Sequence, residues 1–420
     1  MRLAVITQSR DRVGGVEAYL ESVIPALAHR HEVAFWSANS DSSDRGVIKL
    51  PPSVCVLASG SPRADAIRAL HEWRPHVLFA HGLQDAALEA EVLRVAPAVI
   101  VEHTYHGTCI SSTKTMSWPA VSGCERRFGA ACLALYFPRR CGGMNPVTMA
   151  RLYSTQSRRL ESLRRASAIV TLSAHMADEM LRHGILPSRV HVVRPFVVHQ
   201  SEASAYPGAT SDACRLLFIG RLEPLKGVGR LLAALEVVAR HLTRPVRLVV
   251  VGDGAERGKL EAEAKSLCDK NDRLDVRFAG WQDEQGKAEL LSHTDALVVP
   301  SIWPEPFGLV GLEAAAAGVP AVAFATGGIP EWLHENENGC LAPAAGARPD
   351  ALADAIVRCV GNAEVLERLR AGARAGAARW TLDDHLAGLE RVFETVLRTS
   401  DARGFQSSLM EHAPGGVPVA

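Results

Sequence analysis

The sequence predicts an α/β protein built from two doubly wound parallel sheets that face each other across a cleft. Short, nearly all-apolar runs alternate with longer helical patterns, which is typical of parallel sheets covered by helices on both faces. This alternation restarts after a polar stretch near residue 200, and 420 residues exceed one domain of ordinary size. Ligands of such sheets bind beyond the carboxyl ends of the strands, so we expect both domains to contribute to one cleft.

The first domain is expected over residues 1–198, where short apolar runs have the composition of buried strands. These runs are Leu3–Thr7, Glu32–Ser37, His76–Ala80, Ala98–Glu102, Ala168–Leu172 and His191–Arg194. A helical pattern over Val16–His29 connects the first two of them. The stretch from about residue 108 to residue 165 is longer than an ordinary connection between strands, so we interpret it as an insert.

The second domain is expected over residues 214–380, after a linker of Ser, Ala, Pro and Gly at 199–213. Its predicted strands are Arg215–Ile219, Arg247–Val251, Val276–Ala279, Ala296–Pro300, Ala321–Phe324 and Gly339–Leu341. Helical patterns between them include Arg230–His241 and Leu352–Val360. A last helix is expected at 381–398, and residues 399–420, which lack periodicity, predict a disordered tail.

Composition argues against several classes of protein. Lys plus Arg and Asp plus Glu both number 46, and this neutrality argues against a uniformly basic nucleic-acid-binding protein. A hydrophobic content of 47% is too high for a disordered chain. The sequence contains no run of about 18 apolar residues, so it predicts no membrane-spanning helix. The first apolar run is too short for a signal peptide, so we expect a cytoplasmic protein with mostly reduced cysteines.

Two glycine turns follow predicted strands in the second half of the chain. The first contains Gly220 and is followed by two cations, Arg221 and Lys226. A guanidinium group offers a planar fork to phosphate oxygens and an ammonium group offers a mobile point charge. The second turn is Gly252-Asp253-Gly254. Considered alone, loop cations are more often solvated and such glycine turns are more often structural.

The most specific stretch is Ser301–Ala314, which follows a predicted strand and opens an Ala-rich helix. If the span between Glu305 and Glu313 is helical, it rises about 12 Å, and the two carboxylates could meet different hydroxyl groups of one elongated ligand. The simpler alternative is that Glu305 interacts favourably with the helix dipole and that Glu313 is an ordinary surface residue. Backbone N–H groups at the helix start would face an anion, and they belong to Phe307, Gly308 and Leu309.

Together with Gly327–Glu331, these motifs resemble, in order and spacing, the retaining GT-B glycosyltransferases of family 4, the glycosyltransferase group 1 family. The resemblance covers essentially Met1 to about Leu397 and is strong for Leu216–Pro343. It implies two Rossmann-like domains, with the nucleotide-sugar donor held mostly by the second and the helix at 381–398 returning to the first. It also implies an enzyme of hexosyltransferase type that acts on a glycan or lipid-linked acceptor in the biosynthesis of a cell-surface polysaccharide or glycolipid.

The resemblance also implies a role for each matching residue. Arg221 and Lys226 would hold the diphosphate and stabilise the charge that develops on the leaving group. Glu305 would bind sugar hydroxyls and Glu313 the ribose hydroxyls, while His103 would contact the sugar from the first domain. The other donor-binding positions would be Gly15, Gly220, Gly252, Gly254, Trp281, Phe307, Gly308 and Leu309. His81 and His106 are weaker candidates for the acceptor side.

Because two cations and a helix N-terminus could neutralise the diphosphate, and the family usually uses no metal, we expect no cofactor to be required for catalysis. Retention of the anomeric configuration, with no obvious nucleophile in the second domain, favours same-face substitution. In that reaction the departing phosphate helps deprotonate the acceptor hydroxyl. Glu305 as a covalent nucleophile is the competing mechanism. A GT-B epimerase or phosphorylase and a non-catalytic sugar-nucleotide-binding assembly protein are the competing functions. The intact Arg221, Lys226, Glu305 and Glu313 argue against a decayed site.

The insert contains four of the nine cysteines, with 14, 7 and 8 residues between successive members. They are Cys109, Cys124, Cys132 and Cys141. Zinc sites usually include a tight Cys-x2–4-Cys pair, which is absent from this spacing. A structural metal site, reduced cysteines that pack a local core, and a disulfide pair remain as alternatives.

The insert is also strongly basic. Between residues 114 and 165 ten Lys and Arg residues are opposed by Glu125 and Glu161 alone, and Leu133, Leu135, Tyr136 and Phe137 lie among them. Such a surface suits anionic lipid head groups or an acceptor that carries lipid phosphate, which would place the protein on the inner face of the cytoplasmic membrane. A solvated Arg-rich helix face is the alternative. No nucleic-acid partner is expected.

Overall fold

The structure, a computed structural model, describes residues 1–11, 15–39, 46–57, 61–197 and 212–411. The predicted linker at 199–213 lies outside the described residues, except for its last two positions. A seven-stranded and a six-stranded sheet, with parallel pairing throughout, form the centres of two domains. The α/β fold class with two doubly wound sheets is therefore confirmed.

The first sheet has the strand order β3-β2-β1-β4-β5-β8-β9, and a separate antiparallel hairpin is formed by β6 and β7. These strands are β1 (Arg2–Thr7), β2 (Glu32–Ser37), β3 (Cys55–Leu57), β4 (Val77–Ala80), β5 (Ala98–Glu102), β6 (Thr115–Met116), β7 (Ser122–Gly123), β8 (Ala168–Thr171) and β9 (Val190–Val192). The helices are α1 (Gly15–Ala28), α2 (Arg63–Trp73), α3 (Ala86–Val92), α4 (Ala131–Leu135), α5 (Pro146–Arg165) and α6 (Ala174–Arg182), with a 3₁₀ turn at Pro187–Arg189.

The second sheet has the strand order β12-β11-β10-β13-β14-β15. Its strands are β10 (Cys214–Ile219), β11 (Val246–Val251), β12 (Leu274–Gly280), β13 (Ala296–Val299), β14 (Ala321–Phe324) and β15 (Gly339–Ala342). The helices are α7 (Val228–His241), α8 (Arg257–Lys270), α9 (Glu284–Ser292), α10 (Val310–Ala316), α11 (Pro349–Val360) and α12 (Ala363–Ala377), with 3₁₀ turns at Pro224–Lys226, Ile329–Glu331 and Ala345–Ala347.

The predicted strands all have counterparts, with ends that differ by one or two residues. The sequence analysis missed β3, β6 and β7, which are only two or three residues long and too short to show an apolar pattern. Strands such as β1 and β4 are apolar on both faces because helices cover both sides of the sheet. No helix within the described ranges is both long enough and apolar enough to cross a membrane.

The last helix, α13 (Leu382–Glu411), packs against the first domain although it follows the second in the chain. Leu389 and Phe393 are buried among first-sheet residues, and the Phe393 ring meets the edge of Phe79 at a centroid distance of 5.4 Å. The helix continues past residue 398, so the prediction of a disordered tail from 399 is wrong as far as Glu411. Nothing between these positions breaks a helix, since a single glycine only weakens it. Residues 412–420 lie outside the described residues.

The predicted insert at about 108–165 is also corrected. Its second part, α5, is the helix that connects β5 to β8 and packs on α3, so it belongs to the core of the domain. The sequence did not indicate that α5 belongs to the core because most of its residues are polar. Leu160 and Leu163 are buried at its inner face. The true insert is the segment between Gly107 and Asn145, which contains β6, β7 and α4.

Candidate active site

A cavity of about 790 Å³ lies between the carboxyl ends of the two sheets. Residues from both domains line it, as the strand topology requires of a doubly wound pair. The structure brings together in this cavity every residue that the sequence analysis assigned to catalysis or donor binding. These are Gly15, His103, Gly220, Arg221, Lys226, Gly252, Gly254, Trp281, Glu305, Phe307, Gly308, Leu309 and Glu313.

The floor of the cavity is formed by the turns after β10 and β11. Gly252 has a φ of +129°, and a Cβ at this position would lie 1.9 Å from the carbonyl oxygen of Gly220. Any side chain would therefore force the two turns apart. Glycine at residue 252 lets the two strand ends close up, and the second turn then supports the loop that carries Arg221.

Lys226 and Glu305, which both line the cavity, form an ion pair. Lys226 Nζ lies 2.7 Å from Glu305 Oε1, and Ser301 Oγ donates a hydrogen bond to the same oxygen. The ammonium group also lies 4.9 Å from the centre of the Trp303 ring, within cation–π range. Glu305 is only 5% exposed, so these neighbours supply the charge and hydrogen bonds that a buried carboxylate needs. The sequence analysis expected both residues at the site but did not expect this pairing.

Arg221 is more loosely held than Lys226. Its side chain is 68% exposed, and its Nη1 lies 2.8 Å from Glu223 Oε1, on the same loop. An exposed pair of this kind contributes little stability, so the guanidinium group can change partner at small cost. Arg221 is thus a mobile cation at the rim of the cavity, whereas Lys226 is anchored within it.

Glu313 lines the same cavity as the Lys226–Glu305 pair. The span from Glu305 to Glu313 is not one helix, because α10 begins only at Val310 and Gly308 adopts a left-handed φ of +92°. Glu313 Oε2 is 3.3 Å from Lys287 Nζ, a cavity residue that the sequence analysis missed. Trp281 also lines the cavity and is 49% exposed.

The first domain presents His103 to the cavity. Its Nε2 lies 3.0 Å from Nδ1 of His81, which stands behind it, and burial lowers the pKa of both rings, that of His103 to about 4. Because both rings are neutral, one nitrogen must donate to the other. His81 is therefore a buried support of His103, while His106 is held 3.1 Å from the Arg159 guanidinium.

A second buried pair stands beside these histidines. Tyr19, which lines the cavity, has its hydroxyl 2.8 Å from His385 Nε2, and His385 Nδ1 lies 2.7 Å from the carbonyl oxygen of Arg194. Since a carbonyl only accepts, His385 donates from Nδ1 and accepts the Tyr19 proton at Nε2. Burial lowers the pKa of His385 to about 4. Helix α13 thus supplies a side chain that supports the cavity wall, which no sequence motif indicated.

Contacts between the domains surround the loop that carries Glu305. Tyr105 and Ser173 of the first domain donate hydrogen bonds to the carbonyl oxygens of Pro304 and Pro306. The Glu331 carboxylate of the second domain accepts from the backbone N–H groups that begin α6, each at 2.9 Å. Glu331 belongs to one of the motifs described above, but no local pattern indicates its partner.

The four cysteines of the insert do not form a metal site in the structure. Within the described ranges, no group of three or more His, Cys, Asp or Glu side chains is placed to hold a metal ion, and all nine cysteines are free thiols. Burial raises the pKa of Cys141 to about 11 and also raises that of Cys132, which favours thiols over thiolates. The expected metal site at Cys109, Cys124, Cys132 and Cys141 therefore stays a prediction, without support from this arrangement.

The basic character of residues 114–165 is partly internal. Lys114 is buried against Glu179, and Arg159 is buried beside Glu89, so neither contributes to a charged surface. Tyr136 is buried as well, although the sequence analysis placed it on that surface. The exposed apolar side chains are instead Trp118, Met144 and Val147, which are 53%, 72% and 73% exposed.

Two family profiles match adjoining parts of the chain. "Glycosyltransferase Family 4" matches residues 13–201 and "Glycosyl transferases group 1" matches residues 201–376. Together they extend over both domains and meet at the predicted linker.

Curated relatives are similar over part of their length. A D-inositol 3-phosphate glycosyltransferase of Xylanimonas cellulosilytica is 32% identical over 255 residues, which are 57% of this chain and 59% of the relative. A phosphatidyl-myo-inositol mannosyltransferase of Mycobacterium leprae is 36% identical over 182 residues, 43% of this chain and 46% of the relative. The chain thus spans about half to three-fifths of the length of these relatives.

Solved structures share the fold over nearly the whole chain. Anabaena Alr3699/HepE in complex with UDP and glucose has a TM-score of 0.64 and 20% identity, covering 94% of this chain and 98% of that chain. Sucrose-phosphate synthase from Thermosynechococcus elongatus has a TM-score of 0.66 and 20% identity, covering 95% of this chain and 99% of that chain. These likenesses confirm the GT-B fold.

Proposed function

The chain belongs to the group 1 glycosyltransferases, and we propose that it transfers a hexose or similar sugar from a nucleotide-sugar donor to a glycan or lipid-linked acceptor with retention of configuration. One observation carries this proposal. Two cations and two carboxylates of the second domain line the same cavity as a histidine of the first; they are Arg221, Lys226, Glu305, Glu313 and His103. A nucleotide-sugar needs cations for its diphosphate and carboxylates for its sugar hydroxyls.

In the proposed complex, the nucleoside lies at the Trp281 end of the cavity. The Trp281 ring offers a stacking face to the base, and Glu313 accepts hydrogen bonds from the ribose hydroxyls. Lys287 pairs with the Glu313 carboxylate. Alr3699/HepE, which shares the fold, forms a complex with UDP and glucose, and this supports a nucleotide-sugar for the present chain.

The diphosphate then lies between Arg221 and Lys226. As the bond between the anomeric carbon and the phosphate oxygen breaks, negative charge accumulates on that oxygen, and preorganised cations stabilise it. Arg221 can leave Glu223 for this role because their pairing is exposed. The backbone N–H groups of Phe307, Gly308 and Leu309 add donors on the same side.

We favour same-face substitution over a covalent intermediate at Glu305. The carboxylate of Glu305 is paired with Lys226 and hydrogen-bonded to Ser301, which reduces its nucleophilicity. In the same-face reaction the acceptor hydroxyl forms a bond to the anomeric carbon while the departing phosphate oxygen takes the hydroxyl proton. Arg221, Lys226 and the backbone N–H groups near the start of α10 could together neutralise the diphosphate, so we propose that catalysis is independent of metal.

The acceptor binds at the first domain in this proposal. The names of the relatives refer to inositol phosphate and phosphatidylinositol, which supports a glycan or lipid-linked acceptor and a role in glycolipid or cell-surface polysaccharide biosynthesis. Trp118 is exposed, with the Arg140 guanidinium 5.1 Å from its ring centre, and Met144 and Val147, which follow Arg140 closely in the chain, are exposed as well. We propose that these residues contact anionic lipid at the cytoplasmic membrane.

The proposed activity is tested by incubating the protein with a panel of nucleotide-sugars and measuring release of nucleoside diphosphate, with and without inositol-containing or lipid-linked acceptors. Release that depends on an acceptor, with a product whose anomeric proton signal matches the donor configuration, supports a retaining transferase. Epimerised donor without release would indicate an epimerase. Tight donor binding in calorimetry without any turnover would indicate the non-catalytic binding protein.

The membrane contact is tested separately with vesicles of phosphatidylcholine alone or with phosphatidylglycerol. Binding should require the anionic lipid and weaken as salt is raised. The variant Trp118→Ala/Arg140→Ala should bind less well, while a variant of an exposed arginine in the second domain, Arg277→Ala, should bind as the wild type does. Equal binding to both kinds of vesicle would refute an electrostatic contact.

A further inference from the structure

The short segment after β5 contains two residues, His103 and Tyr105, whose side chains lie in different environments. His103 lines the cavity, whereas Tyr105, two residues later, is buried at the interface between the domains. The Tyr105 hydroxyl lies 2.7 Å from the carbonyl oxygen of Pro304 and 2.7 Å from His175 Nε2. A carbonyl oxygen only accepts, so the tyrosine hydrogen is used on Pro304 and His175 must donate from Nε2. These contacts leave one consistent arrangement of hydrogen atoms.

The neighbouring peptide groups are held in the same way. Ser173 donates to the carbonyl oxygen of Pro306, and the backbone N–H of Gly328 donates to that of Glu305 at 2.7 Å. Three successive carbonyl groups around Glu305 are therefore hydrogen-bonded, and the two outer donors come from the other domain. Proline on both sides of Glu305 removes the backbone N–H groups of residues 304 and 306. The peptide groups at residues 304–306 are consequently held through their carbonyl oxygens.

Packing strengthens this connection. The Tyr105 ring meets the Trp303 ring edge-on at a centroid distance of 6.1 Å, and the Lys226 ammonium group lies 4.9 Å from the centre of the Trp303 ring. A Cβ on Gly328 would lie 3.1 Å from the Cβ of Ser173, so glycine permits the close approach of the domains here. Glu331, three residues later, accepts from the backbone N–H groups of Ala174 and His175.

We propose that Tyr105 and Ser173 are positioning residues that couple closure of the two domains to the placement of Glu305. When the domains are closed, the hydroxyl groups of Tyr105 and Ser173 hold the peptide groups on both sides of Glu305. The Glu305 carboxylate is then aligned with Lys226 in the cavity. When the domains separate, the outer carbonyl groups lose these donors and the Glu305 loop is released. This inference rests on the proposed transferase function, because Glu305 is assigned to the sugar of the donor.

The test uses Tyr105→Phe, which removes the hydroxyl and keeps the ring. The matched control is Tyr136→Phe, since Tyr136 is also buried in the first domain but its hydroxyl has no hydrogen-bond partner in the described structure. Tyr105→Phe should lower kcat about tenfold, the effect of losing one buried hydrogen-bond partner. It should leave the Kd for nucleoside diphosphate unchanged, because the proposed phosphate, ribose and base contacts belong to the second domain. Tyr136→Phe should change neither quantity.

Two measurements separate positioning from general destabilisation. In a Glu305→Gln background, Tyr105→Phe should have no further effect on kcat, because the hydroxyl acts through Glu305. Amide hydrogen exchange of residues 302–309 should be faster in Tyr105→Phe than in wild type or Tyr136→Phe. Equal losses of kcat in both backgrounds, or unchanged exchange of this loop, would overturn the proposal. If no donor is consumed by the wild type, the proposed function fails, and the exchange comparison alone decides whether the contact holds the loop.

Discussion

Lys226 Nζ lies 2.7 Å from Glu305 Oε1, and this pair joins the loop after β10 to the loop after β13 within the interdomain cavity. Within this pair, Lys226 has two roles. Lys226 balances a buried carboxylate and also presents a cation where a leaving phosphate would lie. The pairing therefore links the stability of the site to its proposed chemistry.

We expect Lys226→Ala to lower kcat by about 100-fold or more, since the removed cation stabilises charge that develops mainly in the transition state. The Kd for the donor should change far less, because Arg221 and the nucleoside contacts remain. Calorimetry and steady-state kinetics measure the two effects. Equal Kd and equal kcat in the variant would exclude the leaving-group role of Lys226.

We also expect a stability effect from the same pair. Lys226→Met leaves the Glu305 carboxylate buried without its cation and should destabilise the protein by about 3 kcal/mol. The double variant Lys226→Met/Glu305→Gln should recover most of this loss, because no charge remains unpaired. Urea unfolding measures the free energies. Additive losses in the double variant would show that the two side chains are not coupled.

Elsewhere in the cavity wall, we expect Glu313→Gln to weaken nucleoside diphosphate binding by about tenfold, because a neutral amide is a poorer acceptor for two ribose hydroxyls than a carboxylate. The ratio of the Kd of the variant to that of the wild type should be smaller for a 2′-deoxy nucleotide, which lacks one of these hydroxyl groups. Glu284→Gln is the matched control, since it removes the other carboxylate that contacts Lys287. A similar loss in both variants would assign the effect to Lys287 instead.

Stability should depend on pH through the buried histidines. Burial lowers the pKa of His103 and His385 to about 4 from an ordinary value of 6.5, so between these values the unfolded chain binds more protons than the folded one. Stability is therefore complete above pH 6.5 and decreases as the pH falls towards 4, by about 1.4 kcal/mol per pH unit for each histidine. Unfolding in urea at pH 7.5 and 5.5 measures the difference.

The variant His103→Gln should reduce this pH dependence, because it removes one of the buried rings whose pKa is lowered and keeps a polar side chain at the edge of the cavity. His293→Gln, an exposed histidine on the second domain, should leave the slope unchanged. An identical slope in wild type and His103→Gln would show that His103 is not held neutral by burial.

Catalysis should survive removal of divalent metal. We expect full donor turnover in the presence of EDTA, since Arg221 and Lys226 supply the positive charge that a metal would otherwise supply. Added Mg²⁺ should neither restore nor increase the rate. Loss of activity in EDTA that returns with Mg²⁺ would contradict this proposal. A parallel metal analysis of the quadruple Cys→Ser variant at positions 109, 124, 132 and 141 would separate a structural metal from a catalytic one.

Much of the site could be predicted from sequence because its residues occur in contiguous motifs. The order of Gly220, Arg221 and Lys226, then Gly252–Gly254, then Glu305 and Glu313 follows successive strands, and parallel topology brings their ends to one edge. The periodicity of short apolar strands also predicted the two sheets. These features depend on local sequence and on a general rule of sheet topology, so they require no knowledge of distant contacts.

The partners of these residues were decided only by the tertiary structure. The pairing of Lys226 with Glu305, the support of His103 by His81, and the contact of Tyr105 with Pro304 join positions far apart in the chain. The position of α5 in the core and the burial of Lys114 likewise depend on which helix face meets the sheet. A side-chain pair forms only when two chain segments have been packed to within a few ångströms, and local sequence specifies the segments but not their mutual distance.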